Sequence, residues 1–313
     1  MKHFTSIHDV QNPLELVRKA QAFKENQWQP ALHAGKSVGL LFMNPSLRTR
    51  LSSIKAVQNL GAQAIVLDVT NDGWALAFEE GVVMNGTKAE HIKEAAAVMG
   101  QYFDVLAIRT FPELKDRATD YSESVINAFM RYANVPIVSL ESATRHPLQG
   151  LADLMTINEY WNNDRPPKVV MTWAPHVKAL PQAVPNTFAE WMNAVPVDFV
   201  ITHPVGYELA PDVVGNAKVT NDQIEALANA DFVYVKNWSS YTHYGEILTD
   251  DASWRFSRSH LSQTNNAKIM HCLPVRRGVV IDDDVLEGEN AIHLAQAANR
   301  VYAAQAVFNE LLK

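Results

Sequence analysis

The sequence is short of several things. It has one cysteine, Cys272, in 313 residues. A lone thiol forms no intrachain disulfide and no cysteine-rich zinc site, and it fits a reducing compartment. No apolar run approaches the ~20 residues a membrane span needs. The opening stretch, MKHFTSIHDV, lacks the apolar core of a signal peptide. The expectation is a cytoplasmic chain with no membrane partner. Positive charge is also scarce: 27 Lys and Arg stand against 34 Asp and Glu, a net charge of −7. Such a surface repels nucleic acid, so any anion site must be a local concentration of basic residues against the average. Tandem repeats and low-complexity segments are missing too. What remains is 47% hydrophobic and 19% charged, a composition that can build a core and excludes disorder. The length allows two domains at roughly 150 residues each.

Short β-branched runs alternate with longer segments of helical period. SVGLLFM (37–43), AIVLDV (64–69), VLAIRT (105–110) and VPIVSL (135–140) read as strands, with helices expected after 50, near 89–102 and near 119–132. The alternation then restarts. A helix over 148–161 precedes the strands KVVMTWA (168–174), DFVITH (198–203), FVYVKN (232–237) and KIMHCL (268–273), with helices near 184–194 and 221–229 between them. Alternation of this kind predicts α/β architecture: two doubly wound domains, each around a central, mostly parallel sheet. The boundary is expected at 141/142, giving domains 1–141 and 142–294, with an amphipathic helix over 295–313 packing back on the first domain. In such sheets ligands bind beyond the C-terminal ends of the strands. The chemically active residues cluster there, which predicts an active site in the cleft between the domains.

The block SLRTR (46–50) follows the first strand and opens a helix. Ser46 stands where an N-cap belongs. The first N–H groups of a helix have no partner within it, and the helix dipole adds partial positive charge, so the position attracts anions. Arg48 adds a planar fork suited to phosphate oxygens, and Thr49 a hydroxyl. Taken alone, the block is equally a capped helix with exposed arginines.

It does not stand alone. SLRTR resembles the S-x-R-T-R phosphate loop of the aspartate and ornithine carbamoyltransferases. Arg109 in AIRTF, HPLQ (146–149), HCLP (271–274), LPQAVPNTF (180–188) and AANR (297–300) are similar to further segments of that family, in the same order over nearly the whole chain. The resemblance implies transfer of a carbamoyl group from carbamoyl phosphate to an amine, without cofactor or metal. It also implies roles. Ser46, Leu47, Arg48 and Thr49 would hold the phosphate. Arg109 would bridge phosphate and carbonyl oxygen, and His146 and Thr49 would donate to that oxygen. Gln149 and the main-chain carbonyls near Cys272 and Leu273 would accept from the carbamoyl NH₂, with Arg300 a further ligand. Fixed donors around atoms that gain negative charge stabilise the transition state. A catalytic thiol built from His271 and Cys272 is disfavoured, because neighbours on a strand point to opposite faces.

The second substrate is an N-acylated ornithine if two departures from the plain ornithine enzymes are weighed. The S-M-G segment that clamps a free α-amino group is absent. The loop DGWALAFEEGVVMNG carries Trp74, which in the acylornithine branch reaches into a neighbouring subunit's site and implies a homotrimer. Glu141 would receive the substrate's amide or δ-amine, and His176, Lys236 and Arg276 would supply a donor and positive partners to its carboxylates. The loop position that is acidic in acetyl-type enzymes and proline in succinyl-type enzymes is Ala89. A lysine of the acetyl type is replaced by Val280. Both favour a succinyl tail, whose extra carboxylate an acid at 89 would repel. Glu90 is adjacent, and a one-residue shift would reverse the inference. N-acetylornithine, plain ornithine and a non-catalytic anion-binding role remain the alternatives.

Overall fold

A computed structural model describes residues 1–69, 73 and 75–313. The chain forms two compact units. The first comprises Met1–Glu113, Ala118–Leu151 and Arg300–Lys313, and the second Leu114–Arg117 and Ala152–Asn299. Boundaries between the units fall inside three helices, Arg117–Tyr121, Pro147–Tyr160 and His293–Leu311. A reading of strands and turns placed the division at 141/142, whereas residues 142–151 pack with the first unit.

In the first unit the strands are β1 (Ser37–Phe42), β2 (Gln63–Asp68), β3 (Leu76–Ala77), β4 (Glu90–His91), β5 (Val105–Arg109) and β6 (Ile137–Glu141). Four of them form one sheet in the order β2-β1-β5-β6, and every pairing is parallel. β5 and β6 are buried along their whole length. Apolar side chains face both sides of such strands, as a sheet covered on both faces demands. β3 and β4 form a small parallel pair of their own. Residues 90–91 are thus extended, and the helix expected from near 89 begins at Ile92. The helix expected over 119–132 is broken into Arg117–Tyr121 and Ser124–Tyr132. The break is at Glu123, whose backbone lies in the left-handed region at φ +50°.

The second unit holds β7 (Lys168–Trp173), β8 (Asp198–Thr202), β9 (Lys218–Thr220), β10 (Phe232–Lys236) and β11 (Lys268–Met270), in the parallel order β11-β10-β7-β8-β9. Its core joins Val170, Val233, Val235, Ile269, Phe256 and Val280. Each sheet is laid down outward from its first strand, then resumes on that strand's other side. This happens between β1 and β5 in the first unit and between β7 and β10 in the second. Connections leave in opposite directions at these points, which opens a crevice beyond the strand ends.

Candidate active site

In the first unit, the crevice beyond β1 and β5 gathers the sequence-predicted residues of that half. The helix Arg48–Asn59 starts there. Its N-cap is Leu47, not the expected Ser46, and no side chain caps it. Ser46 lies one residue further out and is half-buried, while Leu47 is 68% exposed. Two arginines in the first turn oppose the helix dipole. A local choice that works against its own helix marks a position kept for another purpose.

Arg109 ends β5 and is buried. Its Nη1 donates to the carbonyls of Asn44 (3.1 Å) and Pro45 (3.0 Å), and its Nη2 to Glu141 Oε2 (3.1 Å). The guanidinium lies 4.1 Å from the ring centre of Phe111. Its Nε has no partner among the described residues. The register of β5 against β6 shifts between Ile108 and Arg109, so that Arg109 stands opposite Glu141. Irregularities of this kind re-aim side chains beside active sites. His146 is 3% exposed, and its Nε2 is 3.8 Å from Glu141 Oε2. Burial first, then the charges of Arg300 and Arg109, push its pKa well below the usual histidine value. It is a neutral imidazole at pH 7.

Arg300 binds the remaining members together. Its Nη1 donates to Gln149 Oε1 (3.1 Å) and its Nη2 to Thr49 Oγ1 (2.8 Å). All three side chains are buried. Sequence reasoning ranked Arg300 as one more ligand; here it is the bracket that fixes two others.

In the second unit the predicted residues lie at the C-terminal ends of β7, β10 and β11. Lys236 is buried and donates to Asn237 O at 2.8 Å. His176 is half-buried, with Nε2 3.1 Å from Arg276 Nε and Nδ1 2.9 Å from Lys178 O. Arginine Nε can only donate, so His176 Nε2 accepts from it, while Nδ1 also lies 3.1 Å from the Lys178 main-chain N–H. Arg276 itself is exposed, and Cys272 and Leu273 are half-buried. The main-chain N–H of His271 donates to Gln296 Oε1 (3.0 Å), and Gln296 Nε2 to Asp153 Oδ1 (2.6 Å). Burial, then Lys236, lowers the His271 pKa to about 3.

The specificity positions fall in different surroundings. Trp74 lies outside the described residues. Ala89 is exposed, and its N–H donates to Ala75 O (3.0 Å). Glu90 pairs with Leu76 in β4 and lines an apolar pocket with Leu41, Leu67 and Met99. Val280 is 1% exposed within the second unit's core. Reading the sequence missed Asn44, Glu123 and the Gln296–Asp153 pair. The first has a signal in its place between strand and phosphate-type block; the others have none short of the fold.

Two parallel α/β units, each with buried donors at the strand ends where its connections diverge, define a class of anion-handling transfer enzymes. Comparison with known proteins narrows it. Residues 2–159 match aspartate/ornithine carbamoyltransferase, carbamoyl-P binding domain, and residues 182–311 match aspartate/ornithine carbamoyltransferase, Asp/Orn binding domain. The chain belongs to the aspartate/ornithine carbamoyltransferase family. It is 49% identical to the N-succinylornithine carbamoyltransferase of Bacteroides thetaiotaomicron, over 100% of this chain and 99% of that protein. It is 34% identical to the N-acetylornithine carbamoyltransferase of Xylella fastidiosa, over 99% and 98%. A crystal structure of N-acetyl-L-ornithine transcarbamylase, a glutamate-to-alanine mutant complexed with carbamyl phosphate and N-succinyl-L-norvaline, matches with a TM-score of 0.93 at 33% identity, over 99% of this chain and 100% of that one.

Proposed function

We propose that the protein transfers the carbamoyl group of carbamoyl phosphate to the δ-amine of N-succinyl-L-ornithine, giving N-succinyl-L-citrulline and phosphate, in arginine biosynthesis. The observation that carries this reading is the buried set Arg109, His146, Thr49, Gln149 and Arg300 in one unit of a carbamoyltransferase chain. The helix start at Leu47–Thr49, with Ser46 and Arg48, would hold the phosphate. Arg109 would span phosphate and carbonyl oxygen. His146, kept neutral by its surroundings, would donate one N–H to that oxygen as charge develops on it. Gln149, with the carbonyls of Cys272 and Leu273, would accept from the carbamoyl NH₂. The amine forms the new C–N bond, the C–O bond to phosphate breaks, and the amine's proton leaves on the phosphate. Lys236 and the Arg276–His176 pair would meet the substrate's carboxylates, and Glu141 its amide or amine.

The succinyl choice is supported by Ala89, by apolar Val280, and by relatives of that name at 48–49% identity over the full chain. A glutamate-to-alanine mutant binding an N-succinyl ligand in the related transcarbamylase accords with the repulsion argument. We also propose a cytoplasmic homotrimer in which the Trp74 loop serves a neighbouring copy's site. Light scattering at the mass of three chains checks the assembly. A colorimetric ureido assay with carbamoyl phosphate and, in turn, N-succinylornithine, N-acetylornithine and ornithine tests the reaction. Preference for the succinyl amine by about tenfold or more is expected. Product from none of the three would leave an anion-binding role.

A further inference from the structure

Glu123 is the N-cap of the helix Ser124–Tyr132, yet its side chain makes no bond to that helix. Ser, Thr, Asp and Asn cap the first turn at such positions, and glutamate is not among the residues that do so. Here the carboxylate is turned elsewhere. Its Oε1 accepts from Ser142 Oγ (2.7 Å), from the Thr144 main-chain N–H (2.8 Å) and from Thr144 Oγ1. The turn it holds is closed by its own bonds: Ser142 N donates to Arg145 O (2.7 Å) and Arg145 N to Ser142 Oγ (3.2 Å). Ser142, Thr144 and His146 are all at most 4% exposed. The next residue is His146, whose carbonyl accepts from the N–H groups of Gln149 and Gly150 as the following helix begins. Glu123 also occupies a left-handed backbone that glycine or asparagine would fill with less strain. A charged side chain placed at a strained position and bonded to the Ser142–Arg145 turn points to a task beyond folding its own helix.

We propose that Glu123 is a positioning residue for His146: its carboxylate clamps the Ser142–Arg145 turn and so sets where the imidazole stands. The inference rests on the carbamoyl-transfer reading of His146. Displacement of a reacting group by about 1 Å can cost on the order of a hundredfold in rate. Glu123→Ala removes the acceptor. Glu123→Gly removes it while suiting the left-handed backbone. Glu123→Gln keeps an uncharged acceptor oxygen, with two lone pairs, facing the same Ser142 and Thr144 donors.

The alanine and glycine variants are expected to lose about 10- to 100-fold in kcat with both KM values within about threefold, and the glutamine variant to stay within about threefold of the parent. In a His146→Ala background, Glu123→Ala is expected to cost less than about threefold, because the group it acts through is gone. Amide hydrogen exchange at Thr144 and His146 is expected to quicken in the alanine and glycine variants and not in the glutamine one. Parent-like kcat in both truncations, an undiminished loss in the His146→Ala background, or unchanged exchange overturns the proposal. If the parent itself makes no ureido product, the functional reading fails, and the exchange arm still decides whether Glu123 holds the turn.

Discussion

Arg109 carries the argument at the scale of single residues. It is a buried cation whose only carboxylate among the described residues is Glu141, and its remaining bonds go to main-chain carbonyls. Removing one partner of a buried pair strands the other, at a cost of about 3–5 kcal/mol. Arg109→Ala is therefore expected to lower both thermal stability and kcat, the latter by about 100- to 1000-fold. Adding Glu141→Gln should restore much of the melting temperature and none of the turnover. Thermal melts and ureido assays on the single and double variants separate the two effects. Residue-level chemistry was also the most legible part of the sequence. Arg109, His146, Gln149, Thr49 and Arg300 could be singled out from motifs, because recognition of a small anion needs particular groups in a particular order. Their division of labour could not. That Arg300 brackets Thr49 and Gln149, or that His176 accepts from Arg276, depends on distances between residues far apart in the chain.

At the scale of elements, the strands of both sheets were readable because parallel strands are short apolar runs with little alternation, except the edge strand Lys218–Thr220, which is three residues long and largely exposed. The misreadings have local causes. The helix near 119–132 keeps its apolar period across Glu123, and a left-handed glutamate carries no signal of the break that a glycine would give. The start of the helix Ile92–Tyr102 was placed early because the two-residue strand Glu90–His91 is too short to show a period. Contact between helices is equally hidden. A Cβ added at Gly100 would lie 1.6 Å from the carbonyl oxygen of Ala133, at the end of the helix Ser124–Tyr132. Those two helices touch backbone to backbone. Gly100→Ala must push them apart and is expected to destabilise by about 1–3 kcal/mol. Gly86→Ala, which meets nothing within 4 Å, should leave the melting temperature nearly unchanged.

For the whole molecule, buried histidines make stability a function of pH. Burial, aided by neighbouring cations, holds His146 well below its ordinary pKa and His271 at about 3. Unfolded, each would take a proton near pH 6.5. Below that value the unfolded chain binds more protons than the native one, so stability falls as pH drops toward the folded pKa. His271 contributes a loss of about 1.4 kcal/mol at pH 5.5, and His146 acts in the same direction. The urea midpoint is expected to fall steadily from pH 7 to pH 5.5, and His271→Asn to flatten part of that slope. A midpoint that does not move would mean these imidazoles are protonated in the native state.

The residues from Arg300 onward have a consequence of another kind. They complete the unit that begins the chain: Arg300 reaches Thr49 and Gln149, Gln305 bonds Asn59, and Asn309 bonds His33. On the ribosome, everything through Leu151 emerges and then waits for roughly 150 more residues before its last helix exists. At about 5–20 residues per second that interval is on the order of ten to thirty seconds. The nascent half-site spends it without Arg300, and the second unit, which runs to Asn299, is itself complete only as that last segment begins. Vectorial synthesis thus loses its usual upstream head start, and a pulse-labelled nascent chain should gain protease resistance in both halves late and together rather than in the upstream half first.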